Sequence, residues 1–213
     1  MNRLCGASRI VLKRAQSLNL CCLLIAGLLT ILPTGIQEAN ASPGGKPAYL
    51  IDSTFESIKP GRHKFEVKGH GVEISIPENF SFKQDKGERT LTILLVGVIR
   101  DSGPAPQYSN IMRLAKPDEA VLSLTQFCEM MKKLTGKSMK NYVPGISESL
   151  TINGIAYEGF HYSGQVGERL VKGFTMVTIN NKVMYAIGRL DKAQYFQEDD
   201  AVFNGLVKSY KYF

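Results

Sequence analysis

The phrase Thr-Ile-Asn occurs twice in this chain, at 151–153 before Gly154 and at 178–180 before Asn181. Asn and Gly accept the positive φ that tight two-residue hairpins require, so each phrase marks a reversal between strands. The flanking runs agree: GIAYEGFHYSG follows the first turn, and FTMVTI and KVMYAIGRL bracket the second. All three are rich in the aromatic and β-branched residues that fit a pleated, packed surface. Two such hairpins in succession commit the C-terminal half to an antiparallel meander.

The N-terminal half is read the same way. HKFEVKG, a turn at Gly69-His70-Gly71 and VEISIP predict a hairpin, because Val72, Ile74 and Ile76 alternate with Glu73 and Ser75. Pro77 ends it, since proline cannot donate to the ladder. The run TLTILLVGVIR over 90–100 predicts a central strand buried on both faces. Gly103-Pro104-Ala105-Pro106 reads as loop, and a shorter strand is expected over 109–114. Ala120, Leu124, Phe127, Met131 and Leu134 then form one apolar stripe at helical spacing, which predicts a helix over 122–135 with Gly136 as its stop. A polar loop containing Pro144-Gly145 should lead into the meander. Asp199 or Asp200 can cap a last helix with an apolar face of Val202, Phe203, Leu206, Val207 and Tyr210. This order predicts an α+β chain, an antiparallel β-sheet flanked by helices in an α/β/α sandwich.

The first 41 residues read differently. Arg3, Arg9, Lys13 and Arg14 precede the apolar run LNLCCLLIAGLLTIL, and Ala39-Asn40-Ala41 fits the small-residue pattern of a processing site at Ala39 and Ala41. The run is 15 residues long, short of the roughly 20 that span a bilayer, which favours a cleaved export signal over a retained anchor. Of 213 residues, 172 would remain: an arm over 42–62, rich in Pro, Gly and Ser and expected to be flexible, and one domain over 63–213. Without the leader the formal charge falls from +7 to +4, too small and too dispersed to argue for nucleic acid. Cys5, Cys21 and Cys22 leave with the signal, and the remaining Cys128 has no partner for a disulfide within the mature chain.

VEISIPENFSF, the helix ending in CEMMKKL, the pair INGIAYEGFHYSG and KGFTMVTINNKVMYAIG, and the terminal AVFNGLVKSYKYF together resemble the PsbP-like superfamily. That group takes in PsbP, the Mog-type Ran-binding protein fold and many small exported bacterial proteins. The resemblance implies an α/β/α sandwich around an antiparallel sheet, and generally a part that binds another protein or steadies a larger assembly without catalysis. It carries over no functional residues position by position.

The residues themselves offer few candidates for chemistry. His161 lies four positions from Tyr157 on one strand, an even spacing and hence the same face, and reads as a packed strand histidine. A thiol or hydrolytic enzyme would need it beside Cys128, but Cys128 adjoins Phe127 and lies one turn from Leu124 and Met131, as a small buried hydrophobe would. His63 and His70, with Glu66 and Glu73, flank the first hairpin turn and are the nearest approach to a metal set. Walker-type and GxGxxG loops are absent from the sequence, and no cofactor or metal is expected. Lys132, Lys133, Lys137 and Lys140 gather at and beyond the C-terminus of the first helix, where they complement its dipole and could also meet an acidic protein or an anionic head group. The expected partner is another exported or membrane-associated protein, with no nucleic acid and no stable membrane span after cleavage. A carrier of a small apolar ligand, held between sheet and helix, is the other alternative.

Overall fold

A computed structural model describes residues 55–97, 106–117, 119–120, 122–197 and 200–213. The export signal over 1–41 with Ala39 and Ala41, the arm as far as 54, residues 98–100 and 103–105, and Glu198 and Asp199 lie outside the described residues. The strands are β1 (Glu56–Ser57), β2 (Gly61–Val67), β3 (His70–Ile76), β4 (Ser81–Lys86), β5 (Thr90–Val96) and β6 (Gln107–Leu114). Helix α1 (Leu124–Ser138) follows, then β7 (Lys140–Ile152), β8 (Ile155–Val166), β9 (Arg169–Asn180), β10 (Val183–Lys192), α2 (Ala201–Ser209) and β11 (Lys211–Tyr212). They form an eight-stranded sheet ordered β1-β4-β5-β6-β10-β9-β8-β7 and a three-stranded sheet ordered β11-β3-β2.

The meander closes on the earlier strands because β10 returns to pair antiparallel with β6. Its turns are chemically those the sequence asks for, with the second displaced by one residue. Asn153 and Gly154 take φ of 53° and 77°, while the next reversal uses Asn181 and Lys182 at 49° and 63°, leaving Asn180 in β9. The first hairpin likewise turns on Lys68-Gly69, at φ of 50° and 78°, so His70 and Gly71 belong to β3 and not to a 69–71 turn. Paired positive φ values match the right-handed twist of the strands, which is why the two-residue frame prevails.

Three further departures have physical causes. Residues 55–62 of the arm join the fold, as Glu56–Ser57 pairs with β4 and Gly61-Arg62 opens β2. The stretch around Pro144-Gly145 is not loop but part of β7, which tolerates a proline because it is an edge strand with register shifts on both sides of Pro144. Helix α1 starts later and runs on past Gly136. Ser123 Oγ accepts from Gln126 N–H at 3.2 Å while Gln126 Oε1 accepts from Ser123 N–H at 2.9 Å, a reciprocal cap that sets the start. Gly136 serves packing, because a Cβ there would come within 3.1 Å of the Tyr142 ring.

Alternation along the strands sorts the core into two bodies. In β10, Val183, Tyr185 and Ile187 pack with the small sheet and with Phe203, Leu206 and Val207 of α2. Met184 and Ala186 pack instead with Phe127, Cys128, Met131 and Leu134 of α1. Since neighbouring strand residues point to opposite faces, α1 covers one face of the large sheet and α2 with the small sheet covers the other. The protein is thus mostly antiparallel β-sheet with two helices, and the small sheet packs into the same core cluster as α2.

Candidate functional site

The residues proposed for nucleophilic chemistry are held apart. His161 shares the face of Tyr157, opposite α1, with its ring 4.5 Å from the Phe174 ring and its Nε2 3.4 Å from Glu148 Oε1. Cys128 is buried in α1 on the other face, where burial raises its thiol above the ordinary range against the pull of Lys132. The body of the sheet lies between them, so imidazole and thiol cannot form a dyad. The first hairpin separates its residues in the same way. His63 stacks on Phe65 and gives its ring nitrogen to the Lys59 carbonyl at 2.6 Å, on the inward side. Glu73 lies on the outward side with Arg62, 2.9 Å away. Among the described residues, no group of three His, Cys, Asp or Glu could hold a metal ion.

The lysines and the sheet edge do come together. Lys132 pairs with Glu129 one turn back at 2.6 Å, an interaction that lifts the ammonium above its usual value. Lys133, Lys137 and Lys140 are exposed. Met139 alone separates α1 from β7, so this basic end runs directly into the edge strand. There Val143 is 57% and Ile146 78% exposed, and among the described residues no strand pairs with the outer rim of β7. The polar character of the segment hid this strand from a reading by pattern, although Pro144 with exposed apolar neighbours is what a managed edge looks like.

A second feature lies beneath α1. Leu94, Ser109, Gly188, Thr175 and Phe160 stand directly opposite one another across β5, β6, β10, β9 and β8, forming one row on the helix-covered face. Its centre is small: a Cβ at Gly188 would meet Ser109 Oγ at 2.8 Å and Thr175 Oγ1 at 3.2 Å. In the next row the ring of Tyr162 lies across Gly173, where a Cβ would come within 2.2 Å of it, and this carries the phenol towards Thr175. Thr175 Oγ1 donates to Tyr162 Oη at 3.4 Å. The gap left at Gly188 is a chamber of about 50 Å³, walled by Leu94, Met131, Met139 and Leu190 and floored by Ser109, Thr175, Tyr162 and Gly188, with Gln107 beside them. Burial pushes the Tyr162 phenol up to about 12, so it is a neutral donor at physiological pH.

Arg189 is among the residues that line this chamber, through the part of it nearest the strand. The guanidinium of Arg189 belongs to the opposite face, with Nε 2.9 Å from Asp200 Oδ2 and Nη1 donating to the Gln197 carbonyl. Asp200 also caps α2 through the N–H groups of Val202 and Phe203 at 2.8 and 3.2 Å, and accepts from Tyr108 at 3.1 Å. Burial first, and the Asp200 charge second, hold the Tyr108 phenol well above its ordinary value.

No protein-family model matches the chain, and no curated protein matches it. Among solved structures it is similar to a Pseudomonas aeruginosa protein of unknown function, at 8% identity and a TM-score of 0.49, over 70% of this chain and 95% of that one. It is also similar to cyanobacterial PsbP from Synechocystis sp. PCC 6803, at 12% identity and a TM-score of 0.51, over 83% of this chain and 99% of that one. The chain therefore has a PsbP-like fold. Among the described residues, no helix is long and apolar enough to cross a membrane.

Proposed function

We propose that this chain is an exported, non-catalytic binding or accessory module, a PsbP-like α/β/α sandwich that docks on another exported or membrane-associated protein and steadies the complex it joins. The observation that carries this reading is the continuity of the basic end of α1 with β7, a 13-residue edge strand that presents Val143 and Ile146 to solvent. A long open edge invites pairing with another chain, and exposed lysines beside it favour a partner that is acidic at the matching place. Separation of Cys128 from His161 by the sheet supports the non-catalytic part of the reading.

The test combines Lys133→Glu, Lys137→Glu and Lys140→Glu with Ile146→Asp. These positions are exposed, so thermal stability should change by no more than about 0.5 kcal/mol. Recovery of whatever protein the wild-type chain retains from an exported fraction should fall at least tenfold. Undiminished recovery by the folded quadruple variant would remove the proposed surface.

A further inference from the structure

On the side of α2 the large sheet is left bare at one corner. Cover there stops at His161 and Phe174, whose rings have centroids 6.5 and 6.0 Å from those of Phe196 and Phe203. Two rows of side chains run on beyond it across β7, β8 and β9. Val143, Ser163 and Lys172 stand opposite one another in the first, and Lys140, Gln165 and Leu170 in the second. Ser163 and Gln165 are two and four positions from His161, and paired residues share a face, so all six lie on its side, away from α1. Towards α1 the same strand ends are closed, since Val171 is buried and a Cβ at Gly164 would meet Met139 at 3.2 Å. On the bare side Val143 and Leu170 are 57% and 67% exposed, and open apolar side chains set together on a sheet face mark a place where another element packs.

The two rows also say what fits. Val143 and Leu170 occupy one diagonal of the corner, and Lys140 and Lys172, both exposed, occupy the other. With strands about 4.8 Å apart and a rise of about 3.3 Å per residue, each diagonal is roughly 12 Å long, close to the ~11 Å of two helical turns. Neighbouring carboxylates are directed elsewhere. Glu148 faces His161 Nε2 at 3.4 Å, and Asp191, in register with Lys172, is buried and accepts from the Lys192 N–H at 2.8 Å. We propose that this corner receives an acidic amphipathic helix of a partner protein, laid along the Val143 to Leu170 diagonal, with carboxylates on its flanks for Lys140 and Lys172. The inference rests on the docking function above and names the element of the partner that is met. A strand added to the rim of β7 would leave Leu170 and Lys172, two strands inward, untouched. A basic helix would meet both lysines as like charges.

The experiment is an amide chemical-shift titration of the folded chain with a synthetic helix that carries leucines along one stripe and glutamates on both flanks. A twin with lysines in place of the glutamates, and phosphatidylglycerol vesicles, are the parallel arms. The acidic helix should give saturable shifts centred on Ser163 and Leu170, with neither of the other probes doing so. Leu170→Ser and Lys172→Glu lie at exposed positions, and each should weaken the acidic helix about fivefold with the fold intact. No saturation by the acidic helix, saturation by the basic twin or the vesicles instead, or unchanged affinity in both variants would each overturn the proposal. The two substitutions combined also separate this inference from the docking function, and should lower recovery of the partner from the exported fraction at least tenfold. Undiminished recovery by that double variant, beside its loss in the quadruple variant above, would overturn the helix site and leave docking at the β7 edge standing.

Discussion

The two faces of the large sheet are built to different standards of closure. Against α2 and the small sheet, rings fit on rings: Tyr185 and Tyr212 have centroids 4.4 Å apart, Tyr157 and Tyr212 share a hydrogen bond at 2.8 Å, and Tyr185 donates to the Gly71 carbonyl at 3.2 Å. Burial lifts these phenols, that of Tyr185 to about 12, so they remain neutral and act as packing with a polar handle. Against α1, the glycine at 188 opens the row of side chains and two methionines border the space. Methionine adapts to irregular gaps, whereas stacked rings do not. The face against α2 is closed by rings, and the face against α1 is the more loosely filled of the two.

The sharpest way to break this contrast is at Asp200. It is the ion partner of Arg189, whose side chain is 3% exposed, and the cap of α2 at once. Asp200→Ala leaves a buried guanidinium with a weakened counter-charge and removes the cap, and should cost about 3–5 kcal/mol in denaturant unfolding. A loss under about 1 kcal/mol would mean that this face is not the rigid one.

A pair of glycines compares the faces directly. At Gly71, a Cβ would sit 2.1 Å from the Phe65 carbonyl oxygen and 3.0 Å from Glu66 Cα, atoms of backbone that cannot step aside. At Gly188 the obstacles are two hydroxyl oxygens, which rotate. Gly71→Ala should therefore cost about 3 kcal/mol and Gly188→Ala about 1 kcal/mol or less, measured by chemical denaturation. Equal costs would erase the distinction.

The smallest effect concerns the lead into α1. Arg113 Nη2 donates to both oxygens of Glu119, at 2.7 and 2.8 Å, and the Lys116 N–H adds a third bond at 3.0 Å. Burial works to raise the Glu119 carboxyl, but these partners outweigh it and leave it below the ordinary value. A depressed carboxyl contributes stability above its unfolded value, near pH 4.3, and loses it as pH falls through the lower folded one. Glu119→Gln should thus cost about 1 kcal/mol at pH 7, a gap that closes as unfolding is followed below about pH 4.

Local chemistry made much of this legible. Alternation located β3 and the meander, the apolar stripe located α1, and Asp200 caps α2 as expected. Placement of His161 beside Tyr157 on one face followed from period two alone. By contrast β4, SFKQDK, has only one large apolar residue, and its pairing with β5 supplies an order that pattern cannot reveal. The chamber was illegible for a different reason. Ser109, Thr175 and Gly188 lie far apart in sequence and meet only through the register of three strands. The available signal was weak but physical, since an isolated glycine inside a strand marks close approach or missing bulk.

The docking reading can be tested most directly by photo-cross-linking in the exporting cell, with benzoylphenylalanine placed singly at Ile146 on the β7 edge and at Glu66 on the outer face of the small sheet. Both positions are exposed, so reach is equal and only partner placement differs. A discrete adduct from position 146 and none from 66 is the predicted result. An adduct from 66 alone, or the same adducts from both, would contradict the assignment of the β7 edge as the docking surface.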